Sequence, residues 1–375
     1  MDTPTRVLKI GIIGCTEITQ TIFISTLGFL HDYYQITYLC DDGSEDALRH
    51  CRRLVAGPAP AITQDAEELC ASPDVDVVMV MSNYEDHVHH TTLALKHNKY
   101  VMVEKSMAMS LQDADTIIAA EQSSTGKVFV GHIRRYAPAF LAALDGVGGV
   151  DKIQYVRIRG NMRSIYSCNI IGPNPTFVSQ SCTFPKNFTN SNEQDRIIRR
   201  EKIVSTALHD ECNVSLSPQS EKAWGLLGGL GCHDLSTMRE VLGMPSSVLG
   251  VSMGFPFWNV LFQYPGFTVS YESGLIEIPD FDAHIEVYST NKIVRVEYES
   301  AYIKGALTTM RIVEGSDGTY RESFIRHTYE DAYTLELKEF YRAVTTGKPI
   351  KTSAEDARMD LEIFRMVMEG QKTFQ

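Results

Sequence analysis

The chain has 375 residues, a length that suits two globular domains better than one. With 43% hydrophobic and 22% charged residues, it has the composition of a folded globular protein and not of a disordered or fibrous one. Its formal net charge of −12 repels nucleic acid and acidic membrane surfaces, so we expect neither as a partner.

The start of the sequence and its cysteines indicate a cytoplasmic protein. Residues 1–9 carry no apolar signal core, and the most apolar segment, residues 75–81, is far too short to cross a bilayer. The eight cysteines form no Cys-x-x-Cys pair, which argues against a zinc site and against a disulfide framework. We therefore expect a reducing compartment and no bound metal.

The first part of the chain alternates short apolar runs with helical patterns. Near-continuous apolar strands separated by helices are typical of a parallel sheet that is covered on both faces. We therefore predict an α/β fold class, with a Rossmann-type dinucleotide-binding domain at residues 1–136. Its predicted strands are residues 7–13, 36–40, 75–81, 100–103 and 128–131, and its predicted helices lie near residues 19–30, 45–54, 88–98 and 111–123. Ser110 with Asp113 predicts a cap for the last of these helices.

After Pro138 the sequence alternates between apolar and polar residues. Such alternation is typical of strands with one solvated face, so we predict a mostly antiparallel sheet in a second, α+β domain at residues 137–375. Two helices at residues 334–371 close this domain, the second of them capped by Ser353 with Asp356. The predicted strands are residues 152–159, 248–253, 260–271, 283–288, 293–298 and 309–313.

Residues 172–222 form a long polar excursion that contains a charged run at residues 193–202. One interpretation is a solvated surface helix. The other is a lid, or an insert that shapes the substrate site. The sequence leaves both interpretations open.

The segment after the first strand has part of the pattern of a dinucleotide-binding turn. Such a turn is glycine-rich, because the backbone must bend tightly and let a pyrophosphate approach the helix N-terminus. Only Gly14 matches the pattern G-x-G-x-x-[GA], since Thr16 and Thr19 stand at the other two positions. An ordinary strand-to-helix turn is the alternative. We take Gly14, Thr16, Glu17 and Ile18 as candidate cofactor contacts.

An acidic residue ends the second predicted strand. Asp41 stands where a carboxylate would bind a ribose 2′-hydroxyl. Asp42 follows it, with no base in the next few positions, and this pair would repel a 2′-phosphate. The pattern favours NAD over NADP, which stays possible, and a simple turn is the alternative for these residues.

Several short segments, each weak alone, occur in a specific order along the chain. They are Asp86-His87, Glu104-Lys105-Ser106, Arg134-Arg135-Tyr136-Ala137-Pro138, Gly228-Gly229-Leu230-Gly231-Cys232-His233-Asp234, and residues 340–351 followed by Ser353-Ala354-Glu355-Asp356. This order resembles the glucose–fructose oxidoreductase/inositol dehydrogenase (Gfo/Idh/MocA) family over nearly the whole chain. The resemblance implies a Rossmann domain and an open-faced second domain whose sheet often forms the dimer interface. It also implies hydride transfer between NAD(P) and a sugar, polyol or similar small molecule.

The resemblance also assigns roles to single residues. The family's Glu-Lys-Pro motif falls on Glu104, Lys105 and Ser106, which implies that the glutamate lies near the nicotinamide ribose and that the lysine points at the reacting oxygen. An ammonium group there stabilises negative charge and can pass a proton. The family's histidine falls on His233, whose imidazole can exchange a proton near neutral pH. We expect Lys105 and His233 to be catalytic, and His87, Glu104, Lys105 and Arg135 to contact the cofactor.

Three positions depart from the family pattern. Thr16 replaces a glycine, Ser106 replaces the proline, and Gly229 replaces an aspartate that in many members lies one helical turn before the histidine. Two functions therefore remain open. The intact Glu104 and Lys105 favour an NAD(P)-dependent dehydrogenase or reductase. The three departures favour a redox-neutral isomerase, cyclase or lyase, or a binding protein without catalysis.

Further candidates are weaker. Tyr84, Tyr136, Tyr166 and Trp258 can line a cleft, although scattered aromatic residues more often belong to the core. The pairs His209-Asp210 and Asp282-x-His284 lack a third ligand at a suitable spacing, so we expect no metal there. The apolar face expected on the sheet between residues 248 and 313 predicts a homodimer or a dimer of dimers.

Overall fold

A computed structural model of the chain describes residues 5–163, 192–276, 281–299, 308–316 and 318–372. The chain divides into two compact units. Of the described residues, the first unit holds 5–132, 192–211 and 336–361, and the second unit holds the remainder. This differs from the sequence-based division, which placed all of residues 137–375 in the second domain. The difference arises because later segments pack on the first unit, as where the ring of Phe340 lies 5.1 Å from that of Phe129.

The first unit is built on a parallel sheet. Its strands are β1 (Leu8–Ile13), β2 (Tyr34–Cys40), β3 (Ala61–Thr63), β4 (Val77–Val80), β5 (Tyr100–Glu104) and β6 (Val128–Gly131). They pair in the order β3-β2-β1-β4-β5-β6, and every pairing is parallel. The predicted Rossmann-type sheet is confirmed.

Helices connect these strands. They are a π-helical turn (Thr19–Phe23) that continues into α1 (Ile24–Phe29), then α2 (Glu45–Leu54), α3 (Ala66–Ala71), α4 (Tyr84–Lys96) and α5 (Leu111–Gln122). Later parts of the chain add α7 (Glu193–Ser205), a π-helical turn (Thr206–Glu211), and parts of α10 (Ala332–Thr346) and α11 (Ala354–Lys372). The sequence did not predict β3 and α3, which have three and six residues and are too short to show a period.

Serine side chains cap three helices of the first unit. Ser44 accepts a hydrogen bond from the backbone N–H of Ala47 (3.2 Å), and Ser110 accepts one from Asp113 (3.1 Å). Ser353 accepts one from Asp356 (3.3 Å). These bonds satisfy helix N–H groups that have no partner within the helix, which fixes where α2, α5 and α11 begin.

The second unit contains a mostly antiparallel sheet, as predicted. Its strands are β7 (Ile153–Arg163), β8 (Ser247–Ser252), β9 (Phe257–Tyr264), β10 (Phe267–Ile276), β11 (Phe281–Ser289), β12 (Lys292–Glu297), β13 (Thr309–Ser316) and β14 (Thr319–Ile325). They pair in the order β14-β13-β12-β11-β7-β10-β9-β8, and only β7 with β10 is parallel. The helices include α6 (Pro138–Val147), α8 (Pro218–Leu226), a π-helical turn (Leu227–Gly231) and α9 (Cys232–Leu242).

One predicted strand is a hairpin. The sequence suggested one strand over residues 260–271, but the chain reverses after Tyr264, and β9 and β10 pair antiparallel from Tyr264 opposite Phe267. Gly266 in the turn has φ +88°, a conformation that L side chains rarely adopt. Apolar periodicity alone could not locate this turn, because the alternation continues in register on both sides of it.

The inner face of this sheet packs on helices and leaves no room for extra atoms at Gly160 of β7. A Cβ there would lie 2.2 Å from the carboxylate of Asp234 on α9. The neighbouring inward residues Ile158 and Tyr271 are 1% and 0% exposed, so the site cannot relax easily. This contact sets the distance between α9 and the sheet.

No helix within the described ranges is long and apolar enough to span a membrane. The cysteines in those ranges are all buried, at positions 15, 40, 51, 70, 212 and 232.

Gly160→Ala tests the contact between α9 and β7. We expect it to lower the free energy of unfolding by about 1–3 kcal/mol, because the added methyl group forces the Asp234 carboxylate off the sheet. Gly250→Ala on β8 is the matched control, since a Cβ there meets nothing within 4 Å. Urea unfolding measures both variants, and equal midpoints would contradict the proposed packing.

Candidate active site

The turn after β1 is held against the end of β4. Gly14 has φ +102°, and a Cβ at this position would lie 2.5 Å from the backbone nitrogen of Ser82. Any larger residue would push the two segments apart. The one glycine that the chain keeps from the dinucleotide pattern is therefore required by contact between two backbone segments.

Two threonines replace the other glycines and brace this turn. The hydroxyl of Thr16 donates to the carbonyl of Met81 (2.7 Å), and the hydroxyl of Thr19 donates to the carbonyl of Gly14 (2.6 Å). Thr19 is fully buried, while Thr16 is half-buried. The Thr16 hydroxyl thus links the turn to the end of β4, a hydrogen bond that glycine cannot make.

Glu17 and Ile18 lie at the start of the helical segment that follows the turn. Both are half-buried, and burial raises the pKa of Glu17. The N-terminus of a helix attracts anions.

Asp41 lies directly after β2, as predicted, and its carboxylate is bonded to the backbone. One oxygen accepts from the N–H of Cys15 (2.8 Å), and the other accepts from Gly43 (3.2 Å) and Ser44 (2.9 Å). Burial raises the pKa of Asp41, while these three bonds oppose the rise. The carboxylate therefore joins the turn after β1 to the start of α2, and its remaining lone pairs suit a ribose hydroxyl.

Lys105 follows β5 at the same edge of the sheet, and a histidine holds the backbone beside it. The ring of His87 is 2% exposed; Nδ1 lies 2.9 Å from the carbonyl of Ser106, and Nε2 lies 2.9 Å from the carbonyl of Ser82. Burial lowers the pKa of His87, although the two carbonyl contacts favour its charged form. Its predicted cofactor contact stays a prediction, but both ring nitrogens already contact the backbone.

Glu104, the last residue of β5, is a buried carboxyl next to Lys105. One of its oxygens accepts from the N–H of Lys105 (3.1 Å), and the other has no hydrogen-bond partner in the described part of the chain. Burial raises the pKa of Glu104 to about 7, and the charge of Lys105 limits the rise. The glutamate of the family motif is thus poised to change charge near neutral pH.

A second buried carboxyl, Glu336 on α10, was missed from the sequence. It is 0% exposed, and neither of its oxygens has a hydrogen-bond partner among the described residues. Burial raises its pKa well above the ordinary value, the charge of Glu104 adds to the rise, and Lys351 opposes it. The available signal was its position one helical turn before Phe340, on the apolar face of α10.

The second unit places His233 in the first turn of α9, and the next residue anchors that turn. Asp234 is 1% exposed and accepts hydrogen bonds from Arg134 and from the hydroxyl of Tyr298 (2.6 Å). The Arg134 guanidinium also lies 4.1 Å from the centre of the Tyr298 ring. Burial raises the pKa of Asp234, and Arg134 opposes this. The Asp234 carboxylate is therefore already bonded to Arg134 and to Tyr298.

Two other family positions, Gly229 and Arg135, also belong to the second unit. Gly229 belongs to the π-helical turn before α9, and a Cβ there would meet nothing within 4 Å, so the structure has room for the family's aspartate. Arg135 was predicted to contact the cofactor. It is 3% exposed and donates to Glu240 (2.6 Å) and Ser236 (3.4 Å), so its charge is neutralised within the second unit.

The structure describes three of the four candidate aromatic residues, and it also bears on the candidate metal ligands. Tyr136 and Trp258 are buried at 7% and 1% exposure, and Tyr84 is half-buried. Tyr166 lies outside the described residues. Within those residues no group of three or more potential ligands could hold a metal ion. His209 contacts Asp210 (2.7 Å), which is a side-chain pair without a third ligand.

Glu336→Gln tests the buried carboxyl. Because the folded-state pKa of Glu336 lies well above 4.5, the folded chain keeps a proton that the unfolded chain releases as the pH rises through that value. The unfolding free energy of the wild type therefore falls with rising pH, by at most about 1.4 kcal/mol per pH unit for this group. In Glu336→Gln this group is absent, so we expect the unfolding free energy to fall less steeply as the pH rises. Urea unfolding between about pH 5 and 8 measures it, with the exposed Glu355→Gln as control. Identical slopes in wild type and Glu336→Gln would mean that Glu336 is ionised in the folded state.

Comparison with known proteins agrees with this geometry. Residues 8–132 match the model of an oxidoreductase family with an NAD-binding Rossmann fold, Gfo/Idh/MocA. The chain is 24% identical over 357 residues to myo-inositol 2-dehydrogenase of Thermotoga maritima, covering 94% of this chain and 93% of that one.

Solved structures share the fold over the whole length. A probable dehydrogenase from Thermotoga maritima superposes with a TM-score of 0.68 at 21% identity, covering 98% of each chain. An aldose–aldose oxidoreductase from Caulobacter crescentus gives 0.69 at 15% identity, covering 99% of each. Residues 8–132 thus match the NAD-binding Rossmann fold of the Gfo/Idh/MocA oxidoreductases, and the solved structures share the fold of the whole chain.

Proposed function

We propose that the protein is an NAD(P)-dependent dehydrogenase or reductase that acts on a hydroxyl or carbonyl group of a polyol or sugar-like compound. The observation that carries this proposal is Lys105, which follows β5 and is backed by the buried carboxyl of Glu104. The carboxyl ends of parallel strands are where α/β sheets bind their ligands. One relative that is similar over nearly its whole length is a myo-inositol 2-dehydrogenase, which supports a polyol-like substrate.

The residues at this edge fit a dinucleotide. The turn at Gly14 comes directly before a helical segment, and Asp41 offers a carboxylate at the end of β2. The coenzyme, when bound, supplies the hydride acceptor or donor. Gly14, Thr16, Glu17 and Ile18 would face its pyrophosphate, and Asp41 its adenosine ribose. Asp41 with the exposed Asp42 favours NAD over NADP, because two carboxylates repel a 2′-phosphate.

Lys105 then acts on the substrate oxygen. Its ammonium stabilises the charge that develops on this oxygen, and it can pass a proton to or from it. Glu104 holds the backbone N–H of Lys105 and places a carboxyl with a pKa of about 7 beside it. His233 would assist, with Asp234 and Arg134 fixing the helix turn from which it projects.

A redox-neutral reaction is the second candidate, and the three departures from the family pattern favour it. The departure at Thr16 is weaker evidence for this candidate, because the Thr16 hydroxyl donates a hydrogen bond to the carbonyl of Met81 and so stabilises the turn. Gly229 still leaves His233 without the family's carboxylate one turn earlier. Coenzyme reduction that accompanies product formation separates the two candidates.

We further propose that two copies associate through the outer face of the eight-stranded sheet. This face carries exposed apolar residues on β9, such as Phe257 (48%) and Leu261 (38%). It also carries ion pairs between strands, such as Arg159 with Asp282 (2.8 Å). Mixed apolar and oppositely charged groups suit a self-complementary interface.

The buried thiols also fit a reducing, cytoplasmic location.

Lys105→Met tests the chemistry. It keeps the length of the side chain and removes its charge, so we expect coenzyme binding to persist and turnover to fall about 10²–10³-fold. Lys152→Met is the control, because that lysine is 62% exposed and pairs with Asp151. The assay follows both product and reduced coenzyme. Wild-type turnover in Lys105→Met, or product formed without a change in coenzyme redox state, would refute the dehydrogenase proposal.

Leu261→Asp tests the interface. A buried charge on the two-fold-related surface is costly, so we expect the variant to have the monomer mass at micromolar concentration while the wild type has the dimer mass or more. Light scattering gives the mass directly. Phe29→Asp is the control, since Phe29 is 79% exposed in the first unit. A monomeric wild type would rule the interface out.

A further inference from the structure

The segment at residues 192–211 lies along the same edge of the parallel sheet as the residues described above. It belongs to the polar excursion that the sequence left open between a surface helix and a lid. Its helix, α7, has no fully buried residue, yet it is fastened to the first unit at three places. All three follow the carboxyl ends of strands.

The first fastening is at the end of β2. The side-chain amide of Asn192 donates to the backbone carbonyl of Asp42 (3.2 Å) and to its carboxylate (3.3 Å). Asp42 is the neighbour of Asp41, the residue with the geometry for a ribose hydroxyl. The start of α7 therefore lies at the adenosine end of the dinucleotide edge.

The second fastening is on the first turn of α4, which follows β4. Arg196 and Arg200 both donate to the same oxygen of Glu85, each at 3.1 Å, and Arg199 pairs with Asp86 at 2.7 Å. The Glu85 side chain is 0% exposed. Charge-assisted hydrogen bonds of this kind are about twice as strong as neutral ones when they are shielded from water.

The third fastening is at the start of α5, after β5 and Lys105. The carboxylate of Glu211 accepts from the backbone N–H groups of Leu111 and Gln112, each at 2.8 Å. A carboxylate at a helix N-terminus satisfies N–H groups that the helix leaves without partners. Residues 192–211 thus run from the end of β2, past β4, to the end of β5.

Two guanidinium N–H groups on α7 have no acceptor among the residues that the structure describes. The Nε atoms of Arg199 and Arg200 are buried, and neither has a hydrogen-bond partner within the described ranges. A buried N–H without an acceptor is costly. A dinucleotide bound next to these arginines would offer its anionic pyrophosphate as an acceptor.

We propose that residues 192–211 form the outer wall of the dinucleotide site, with Asn192 at its ribose end and the arginines of α7 beside its pyrophosphate. A dinucleotide binds in the crevice outside the carboxyl ends of the strands, and this segment spans those ends. The wall comes from a part of the chain that is remote in sequence from the Rossmann segment. The inference rests on the proposed coenzyme binding.

Arg196→Gln with Arg200→Gln tests the wall. The double variant removes both bonds to Glu85, so we expect NADH to dissociate at least about tenfold faster, measured by stopped-flow fluorescence. Arg49→Gln is the matched control. It is a helical arginine of the same unit, 55% exposed, whose pair with Glu45 lies on the surface. The melting temperature of each variant without NADH establishes that it is folded.

Hydrogen exchange supplies a readout that is independent of the substitutions. We expect NADH to slow amide exchange in residues 193–211 of the wild-type chain, because a wall in contact with the ligand opens less often. Unchanged exchange in this segment, together with an unchanged dissociation rate in the double variant, would overturn the inference while leaving coenzyme binding intact. Tighter NADH binding in the double variant would also overturn it, since α7 would then block the site. If wild type and variants bind neither NADH nor NADPH, the proposed function itself fails.

Discussion

The structure of the first unit depends on the direct contact between the turn after β1 and the end of β4. Gly14 leaves no space for a side chain beside Ser82, and Thr16 bonds the same region through Met81. His87 then connects the carbonyl of Ser82 to that of Ser106, next to Lys105. Backbone contacts therefore link the ends of β1, β4 and β5. The backbone next to Lys105 is thus held by groups that cannot easily move.

Around this framework, burial competes with charge pairing for each carboxyl. Burial raises the pKa of Asp234, and its bonds to Arg134 and to the hydroxyl of Tyr298 oppose this rise without reversing it. Glu104 has only the N–H of Lys105, and Glu336 has no hydrogen-bond partner among the described residues. Where partners are missing, burial dominates and the neutral form is favoured. The pKa of Glu104 is accordingly raised to about 7, and that of Glu336 is raised well above its ordinary value.

The departures from the family pattern have different physical consequences. Thr16 gains a hydrogen bond that glycine lacks, so its effect on the turn is stabilising. Ser106 keeps the carbonyl that His87 contacts, and that contact does not require proline. Gly229 lacks the carboxylate of the family's aspartate, and a Cβ there would meet nothing within 4 Å. Of the three, only the change at Gly229 removes an ionisable side chain.

The sequence by itself determined five strands of the first unit and the residues at their ends. Buried parallel strands are continuous apolar runs, so β1, β2, β4, β5 and β6 were visible, and Asp41 and Lys105 followed from their positions after such runs. It also predicted the alternating strands of the second sheet apart from β14, but not the hairpin at Gly266, because the alternation continues through the turn. The tertiary structure decided which distant residues meet. Glu336 lies by Glu104, and α7 lies on α4, through contacts between residues more than 100 positions apart. Such contacts leave no periodic signal, since periodicity records only which face of a helix or strand is buried and not what buries it.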